Sequence, residues 1–183
     1  WEAKNVTVFV TGGIAAFKAA TLVRLFVKAG ANVEVAMTKS ACEFITPLTF
    51  QVLTKNKVHT DTFDEDEASK VQHIHLADKT DVAVVVPATA NTIAKMANGI
   101  ADNFVTSTLL ATTAPIYVVP AMNEHMWENP ATVRNVKQLV EDGKSVIEPA
   151  TGFLAEGYTG KGRLPEPEEI FEQITFLESK RVS

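Results

Sequence analysis

The chain has 183 residues, 46% of them hydrophobic and 21% charged, which is the composition of one globular domain rather than a disordered or fibrous protein. The formal net charge of −5 argues against a nucleic-acid-binding function, and no apolar run reaches the ~20 residues that span a membrane. Cys42 is the only cysteine, which excludes an internal disulfide and a cysteine-cluster metal site and favours a reducing, cytoplasmic location.

The first third of the chain alternates short β-branched runs with segments of helical periodicity. The glycine pair after the first run predicts a turn, and Gly30 predicts the end of the helix that follows. In chain order we predict a strand at 6–10, a helix at 14–29, a strand at 32–37, a short helix beginning near Ala41 and a helix at 47–53.

The remaining segments continue this alternation. Residues 61–68 are acidic and predict a turn, and residues 80–86 predict a strand buried on both faces because they are apolar at consecutive positions. After them we predict helices at 91–98 and 102–111, a strand at 116–119, a helix at 130–142, a strand at 145–147 and a helix at 166–179.

Strands that alternate with helices predict a parallel sheet with right-handed crossovers and helices on both faces. We therefore expect one α/β domain over residues 1–183, three-layered and doubly wound, of the Rossmann-like or flavodoxin-like kind. Residues 152–167 interrupt the alternation with four glycines and two prolines, so we expect a long functional loop there.

Ligands of such sheets bind at the carboxyl ends of the strands, where four loops rich in Gly, Ser, Thr or Asn are expected here. The loop at 11–13 opens a helix, so its free N–H groups favour a phosphate, although Gly12 and Gly13 could equally form only a tight turn. The chain lacks the dinucleotide and P-loop glycine patterns at this position. These absences disfavour dinucleotide binding and nucleotide hydrolysis.

The loop at 87–92 places hydroxyls and an amide at the start of another helix. Thr89 or Asn91 could serve only as an ordinary helix cap. However, two such loops on adjacent strand ends favour a shared anion site.

Two further segments hold candidate chemical groups. His73 and His75 would lie on one side of an extended chain, where His73 could act as a base, be a surface residue without a role, or join a metal pair. We predict no metal because a third ligand is not evident. In the loop at 120–127, Met122 and its apolar neighbours Met126 and Trp127 are typical core residues, and a buried amide at Asn123 would need a partner such as a ligand carboxylate.

Several of these segments resemble the homo-oligomeric flavin-containing cysteine decarboxylases. Pro-Ala-Met-Asn-Glu-His-Met-Trp at 120–127 matches their Pro-x-Met-Asn-x-x-Met-Trp signature, and Pro-Ala-Thr-Ala-Asn-Thr at 87–92 is similar to their flavin-binding motif. Gln-His-Ile-His-Leu at 72–76 resembles the segment that carries their catalytic histidine. Gly-Lys-Gly-Arg-Leu-Pro-Glu-Pro at 160–167 resembles the end of the substrate clamp in members that act on phosphopantothenoylcysteine.

The resemblance implies FMN as cofactor and a small phosphorylated cysteine conjugate as substrate. The implied reaction is decarboxylation of 4′-phosphopantothenoyl-L-cysteine to 4′-phosphopantetheine in coenzyme A biosynthesis. His73 would be the acid–base group, Asn123 would hold the substrate carboxylate, and Met122, Ala155 and Lys161 would also contact substrate. FMN would be held by Gly12, Gly13, Ile14, Thr38, Ser40, Pro87, Thr89, Asn91 and Thr92.

The resemblance also implies a homo-oligomer, either a trimer or four trimers together. The small-residue helix predicted at 102–111 is our candidate contact surface, and the alternative is a helix packed in its own core.

One position departs from the family pattern. Members that act on phosphopantothenoylcysteine carry Leu-Ala-Cys-Gly in the clamp, and that cysteine helps to complete the final reduction. Here Glu156 occupies the cysteine's place, in Phe-Leu-Ala-Glu-Gly at 153–157. Two alternatives therefore stay open, namely a peptidyl-cysteine decarboxylase that releases an enethiol and a non-catalytic flavin-binding subunit.

Overall fold

The computed structural model of the protein describes residues 1–61 and 71–183. The acidic turn predicted at 61–68 lies, from residue 62 onward, outside the described residues.

A five-stranded parallel sheet forms the middle of the domain. Its strands are β1 (Asn5–Val10), β2 (Asn32–Met37), β3 (Val82–Ala88), β4 (Ile116–Pro120) and β5 (Ser145–Val146). Their spatial order is β2-β1-β3-β4-β5, and every neighbouring pair is parallel. This is the strand order of flavodoxin-like folds, so the predicted fold class is confirmed.

Helices cover both faces of the sheet. They are α1 (Ala16–Lys28), α2 (Ala41–Phe44), α3 (Pro47–Thr54), α4 (Gln72–Lys79), α5 (Ala90–Asn98), α6 (Phe104–Ala111), α7 (Glu124–Glu128), α8 (Pro130–Glu141) and α9 (Pro167–Arg181). One core joins the sheet to α1, α3 and α9 and includes Phe26 and Phe50, whereas the other joins it to α4, α5, α6 and α8 and includes Leu76 and Leu139. β3 has every residue buried, as its unbroken apolar run predicts.

The predicted long loop at 152–167 is wrong in part, because much of it is an antiparallel hairpin. Strands β6 (Ala150–Phe153) and β7 (Thr159–Arg163) pair with each other in a separate two-stranded sheet. Glycines conceal these strands in the sequence, yet the docking of the hairpin requires one of them. A Cβ on Gly162 would lie 2.0 Å from the carbonyl oxygen of Met122, and Gly162 has φ +146°.

Two other expectations about the chain are corrected. The segment with His73 and His75 is helix α4 rather than extended chain, because Leu76 and Ala77 pack its inner face into the core. Residues two apart on a helix are rotated by about 200°, so the two histidines do not share a side. Met126 is not a core residue, since it lies on α7 with 49% of its surface exposed.

Candidate active site

The loops that follow β1 and β3 meet where the strand order reverses. Thr11 is fully buried there, and its hydroxyl donates to the carbonyl of Pro87 at 2.5 Å and accepts the N–H of Thr89 at 3.1 Å. Crevices at this position are the usual ligand sites of open α/β sheets. Thr11 was missed as a functional candidate, although its place directly after the first strand was a usable signal.

The loop after β2 joins the same edge of the sheet. A Cβ on Gly12 would lie 2.4 Å from the Cβ of Ser40, so only glycine allows these two loops to approach. Thr38 is buried and its hydroxyl accepts the N–H of Ala41 at 3.1 Å, which fixes the start of α2. The structure therefore brings together the loops that the sequence predicted to hold a cofactor.

The turn between β1 and α1 presents open backbone donors. Among the described residues, the N–H groups of residues 12–15 have no hydrogen-bond partner, and a side chain on Gly13 would meet nothing within 4 Å. Unpaired N–H groups before a long helix, together with its dipole, favour an anion such as a phosphate. This donor set fits the phosphate of a mononucleotide.

A cavity of about 470 Å³ adjoins this turn, and its floor comes from the loop after β4 and its wall from the hairpin. Cavities that bind small molecules have similar volumes. Of the predicted site residues, those that line it are Gly13, Ile14, Pro87, Met122, Asn123, Ala155 and Glu156.

Other predicted site residues lie beside the cavity without lining it. Thr89 caps α5 by accepting the N–H of Thr92 at 3.1 Å, so the capping alternative describes what its hydroxyl does here. Asn91 is exposed on the first turn of α5, whereas Thr92 is buried. Lys161 does not line the cavity, and its ammonium group lies 2.9 Å from a carboxylate oxygen of Glu148.

His73 is at the same edge of the sheet but does not line the cavity. It occupies the first turn of α4, half-buried, with its ring 6.4 Å from the ring of Phe104 at an interplanar angle of 84°. Phe104 is itself stacked on His59, at 5.1 Å and 9°. Within one chain, His73 thus lies outside the lining of the cavity that contains Asn123.

The side-chain amide of Asn123 has partners within the protein. It donates to Glu156 Oε1 at 2.9 Å and to the hydroxyl of Tyr158, and its oxygen accepts the N–H of His125 at 2.8 Å, which caps α7. Asn123 is half-buried, so the amide is accessible from the cavity. Tyr158 was missed from the sequence, because nothing in its spacing linked it to Asn123.

Two cations on the cavity wall were also missed. Lys18 and Arg163 both approach Glu166 Oε1, at 3.2 and 3.4 Å, and the side chain of Lys18 is largely buried. The signal available for Lys18 was a lone charge in the first turns of an otherwise apolar helix. Apolar side chains, including the exposed Phe17 and Phe153, complete the wall.

The cavity holds no thiol. Cys42 does not line it, and burial, reinforced by the charges of Asp61 and Glu43, raises the pKa of the Cys42 thiol above its ordinary value. Cys42 therefore remains protonated and does not replace the clamp cysteine that the resemblance assigns to members acting on phosphopantothenoylcysteine.

A second cavity of about 460 Å³ lies at the opposite edge of the sheet. Its cations are largely committed, since Lys95 pairs with Asp102 at 3.0 Å and Arg181 pairs with Glu178 at 2.7 Å. Within the described ranges, no group of three or more His, Cys, Asp or Glu side chains could hold a metal ion. A search of the same residues finds no helix with the length and apolar content needed to cross a membrane.

Comparison with known proteins identifies relatives of the chain. The chain is 56% identical over 167 residues to the coenzyme A biosynthesis bifunctional protein CoaBC of Bacillus subtilis, covering 91% of this chain and 41% of that protein. The chain thus spans about two fifths of the length of such bifunctional relatives. It is 43% identical to a probable phosphopantothenoylcysteine decarboxylase of Streptococcus mutans, with 93% of this chain and 97% of that protein covered.

Solved structures are similar to this chain over nearly all of its length. A PPC decarboxylase mutant complexed with pantothenoylaminoethenethiol superposes with a TM-score of 0.86 at 32% identity, covering 97% of this chain and all of that one. The FMN binding protein AtHal3 superposes with a TM-score of 0.83 at 32% identity, with 98% of both chains covered. The Flavoprotein family model matches residues 1–177, and the chain belongs to that family.

Proposed function

We propose that the chain is an FMN-dependent decarboxylase that converts 4′-phosphopantothenoyl-L-cysteine to 4′-phosphopantetheine, a step of coenzyme A biosynthesis. The observation that carries this proposal is a cavity lined both by the half-buried Asn123 and by residues 13–15, whose backbone N–H groups are open. The names of the relatives and the bound ligand of the PPC decarboxylase structure support the substrate class.

FMN suits the crevice better than a dinucleotide does, because the chain lacks a dinucleotide fingerprint and offers one phosphate-sized cradle at the β1–α1 turn. Gly12, Gly13 and Ile14 would hold the phosphate, and the loops with Thr38 and Pro87 would enclose the rest together with Ser40, Thr89, Asn91 and Thr92. The chemistry that FMN supplies when bound is reversible two-electron oxidation of the cysteine moiety, which lets CO₂ leave.

The residues of the chain position the substrate for that chemistry. Asn123 would hold the carboxylate that leaves as CO₂, and Met122 and Ala155 line the cavity beside it. Lys18 and Arg163 are cations on the cavity wall, and both lie close to one carboxylate oxygen of Glu166, at 3.2 and 3.4 Å. Two cations that can reach one oxygen suit the phosphate of the substrate. Lys161 would contact substrate only after release from Glu148.

His73 would exchange a proton with the substrate, but it does not line the cavity formed by its own chain. We therefore propose a homo-oligomer, a trimer or four trimers, in which the His73 edge of one chain completes the cavity of another. We predicted helix α6 as the contact surface, with packing in the core of its own chain as the alternative. Val105 and Leu109 of α6 are buried in the core of the same chain, which agrees with the alternative. A better contact surface near the cavity is apolar and exposed, and consists of Ile14, Phe17, Phe44, Leu48 and Val52.

Glu156 supports a second candidate function, that of a decarboxylase that acts on a peptide ending in cysteine and releases the enethiol. The observation in its favour is the cavity without a thiol, since the final reduction in the first reaction uses a cysteine at this position of the family. The lone, protonated Cys42 fits the cytoplasmic location that we propose for either reaction.

Incubation with each substrate tests the proposal. Purified protein saturated with FMN is mixed with 4′-phosphopantothenoyl-L-cysteine or with a cysteine-terminated peptide, and the products are identified by mass spectrometry. We expect loss of CO₂ from the phosphorylated conjugate alone. Loss of CO₂ from the peptide alone would establish the second candidate, and loss from neither would refute both.

A further inference from the structure

The tip of the β6–β7 hairpin uses every donor of the Asn123 amide. A primary amide has two N–H donors. One is donated to Glu156 Oε1 at 2.9 Å and the other to the hydroxyl of Tyr158, while the oxygen is occupied by the N–H of His125. In this arrangement Asn123 has no donor left for a carboxylate of a ligand.

The hairpin is anchored firmly at its base and lightly at its tip. At the base, the N–H of Met122 donates to the carbonyl of Gly162 at 2.9 Å, and the N–H of Lys161 donates to Glu124 at 3.2 Å. At the tip, residues 155–159 are exposed. Two turn hydrogen bonds between Leu154 and residues 157 and 158 hold the tip to itself, and the side chains of Glu156 and Tyr158 contact Asn123 and His125. Exposed hydrogen bonds of this kind contribute little net free energy, so a ligand can displace them.

We propose that Glu156 is a specificity-determining residue, an internal carboxylate that occupies the place on Asn123 that the carboxylate of the substrate takes. The proposal rests on the function proposed above. A ligand with a carboxylate must displace Glu156 and bring a second negative charge beside it in the cavity, whereas a ligand without one leaves the Glu156–Asn123 contact intact. Glu156 thereby sets the relative affinities of substrate and product.

Two matched ligands isolate this effect. 4′-Phosphopantothenoyl-L-alanine has the carboxylate of the substrate but no thiol to oxidise, and 4′-phospho-N-ethylpantothenamide differs from it only by lacking the carboxylate. Calorimetric titration of FMN-loaded protein with each ligand gives two dissociation constants and their ratio. The same titrations are made on Glu156→Ala, and on Glu156→Gln, which retains an acceptor for Asn123 without the charge.

We expect Glu156→Ala to tighten binding of the alanine conjugate about tenfold and to leave the N-ethyl amide within about twofold, with Glu156→Gln in between. The control Glu172→Ala removes an exposed carboxylate of α9 that does not line the cavity, and it should leave the ratio of the two constants unchanged. In an Asn123→Ala background the effect of Glu156→Ala should be clearly smaller, because the two carboxylates no longer compete for one amide.

A readout without ligand accompanies the titrations. Hydrogen exchange at residues 154–158 should be faster in Asn123→Ala than in the unmodified protein, because the tip loses both of its amide contacts. Unchanged exchange there would overturn the proposal, as would an equal change in both dissociation constants on Glu156→Ala. If no variant binds either ligand, the proposed substrate is wrong and the role of Glu156 falls with it, whereas equal effects on both ligands reject the role of Glu156 alone.

Discussion

At the scale of single residues, Gly12 and Gly13 are adjacent but differ in the space that is available for a side chain. A Cβ on Gly12 would come within 2.4 Å of Ser40, whereas a Cβ on Gly13 would meet open space. We expect Gly12→Ala to lower the free energy of unfolding by about 1–3 kcal/mol, as overpacking does, and Gly13→Ala to change it by less than about 0.5 kcal/mol. Urea denaturation of the FMN-free protein measures both. Equal stability losses would contradict this account of the turn.

Glu34, on strand β2, makes the stability of the protein depend on pH. Burial raises the pKa of its carboxyl, but hydrogen bonds with His59 and Lys79 outweigh burial and hold that pKa below the ordinary value. A lowered pKa in the folded state gives stability that is present above the unfolded-state pKa, and that stability is lost as the pH falls through the folded-state pKa.

Glu34→Gln should therefore cost about 2 kcal/mol at pH 7, and the cost should shrink as the pH falls below about 4.3, the usual pKa of a glutamate. Denaturant titrations of both proteins at a series of pH values measure this difference. The exposed Glu172→Gln serves as the control and should show no such trend. A cost that stays constant down to pH 3 would refute the ion-pair explanation.

At the scale of elements, the docking of the hairpin decides the shape of the cavity. Gly162→Ala combines a positive φ with a clash against the Met122 carbonyl, whereas Gly143→Ala places the same strain in open space. We expect Gly162→Ala to displace the hairpin and to weaken binding of the alanine conjugate by more than about tenfold, which is a loss of more than about 1.4 kcal/mol. Gly143→Ala should cost only the stability that backbone strain entails. Undiminished ligand affinity in Gly162→Ala would show that the hairpin does not form the cavity wall.

The sequence was sufficient for elements whose pattern follows from burial alone. Residues 82–88 are apolar at consecutive positions because both faces of β3 are covered, and Gly30 ends α1 with a positive φ. The hairpin was not predictable in this way, because Gly160 and Gly162 are required by close contacts with residues 122–124, which are distant in sequence. α4 was missed because only Leu76 and Ala77 of its eight residues are buried, too few for a clear helical period.

The same distinction applies to the site. The convergence of the loops after β1, β2 and β3 follows from the parallel sheet, so Gly12, Ser40 and Pro87 could be placed from the sequence. The partnership of Asn123 with Tyr158 depends on how the hairpin folds back, which no local pattern encodes.

At the scale of the whole molecule, the separation of His73 from the cavity predicts an assembly. Leu48 is 63% exposed on α3, within the apolar surface beside the cavity, and Val140 is 54% exposed on α8. We expect Leu48→Asp to lower the oligomer order and the FMN content, because a charge in an apolar contact is costly, and Val140→Asp to change neither. Light scattering together with flavin absorbance measures both quantities. An unmodified chain that is a 19.9 kDa monomer with bound FMN would reject the assembly.

The proposed function is tested most directly by the rate at which CO₂ is released from carboxyl-labelled 4′-phosphopantothenoyl-L-cysteine. The FMN-loaded protein should release the label, and His73→Asn should retain FMN yet release it 10²- to 10⁴-fold more slowly, roughly the contribution of an acid–base group. His75→Asn, which alters an exposed histidine on the other side of α4, should release it at the unmodified rate. No labelled CO₂ from the unmodified protein, or equal rates for His73→Asn and His75→Asn, would contradict this account.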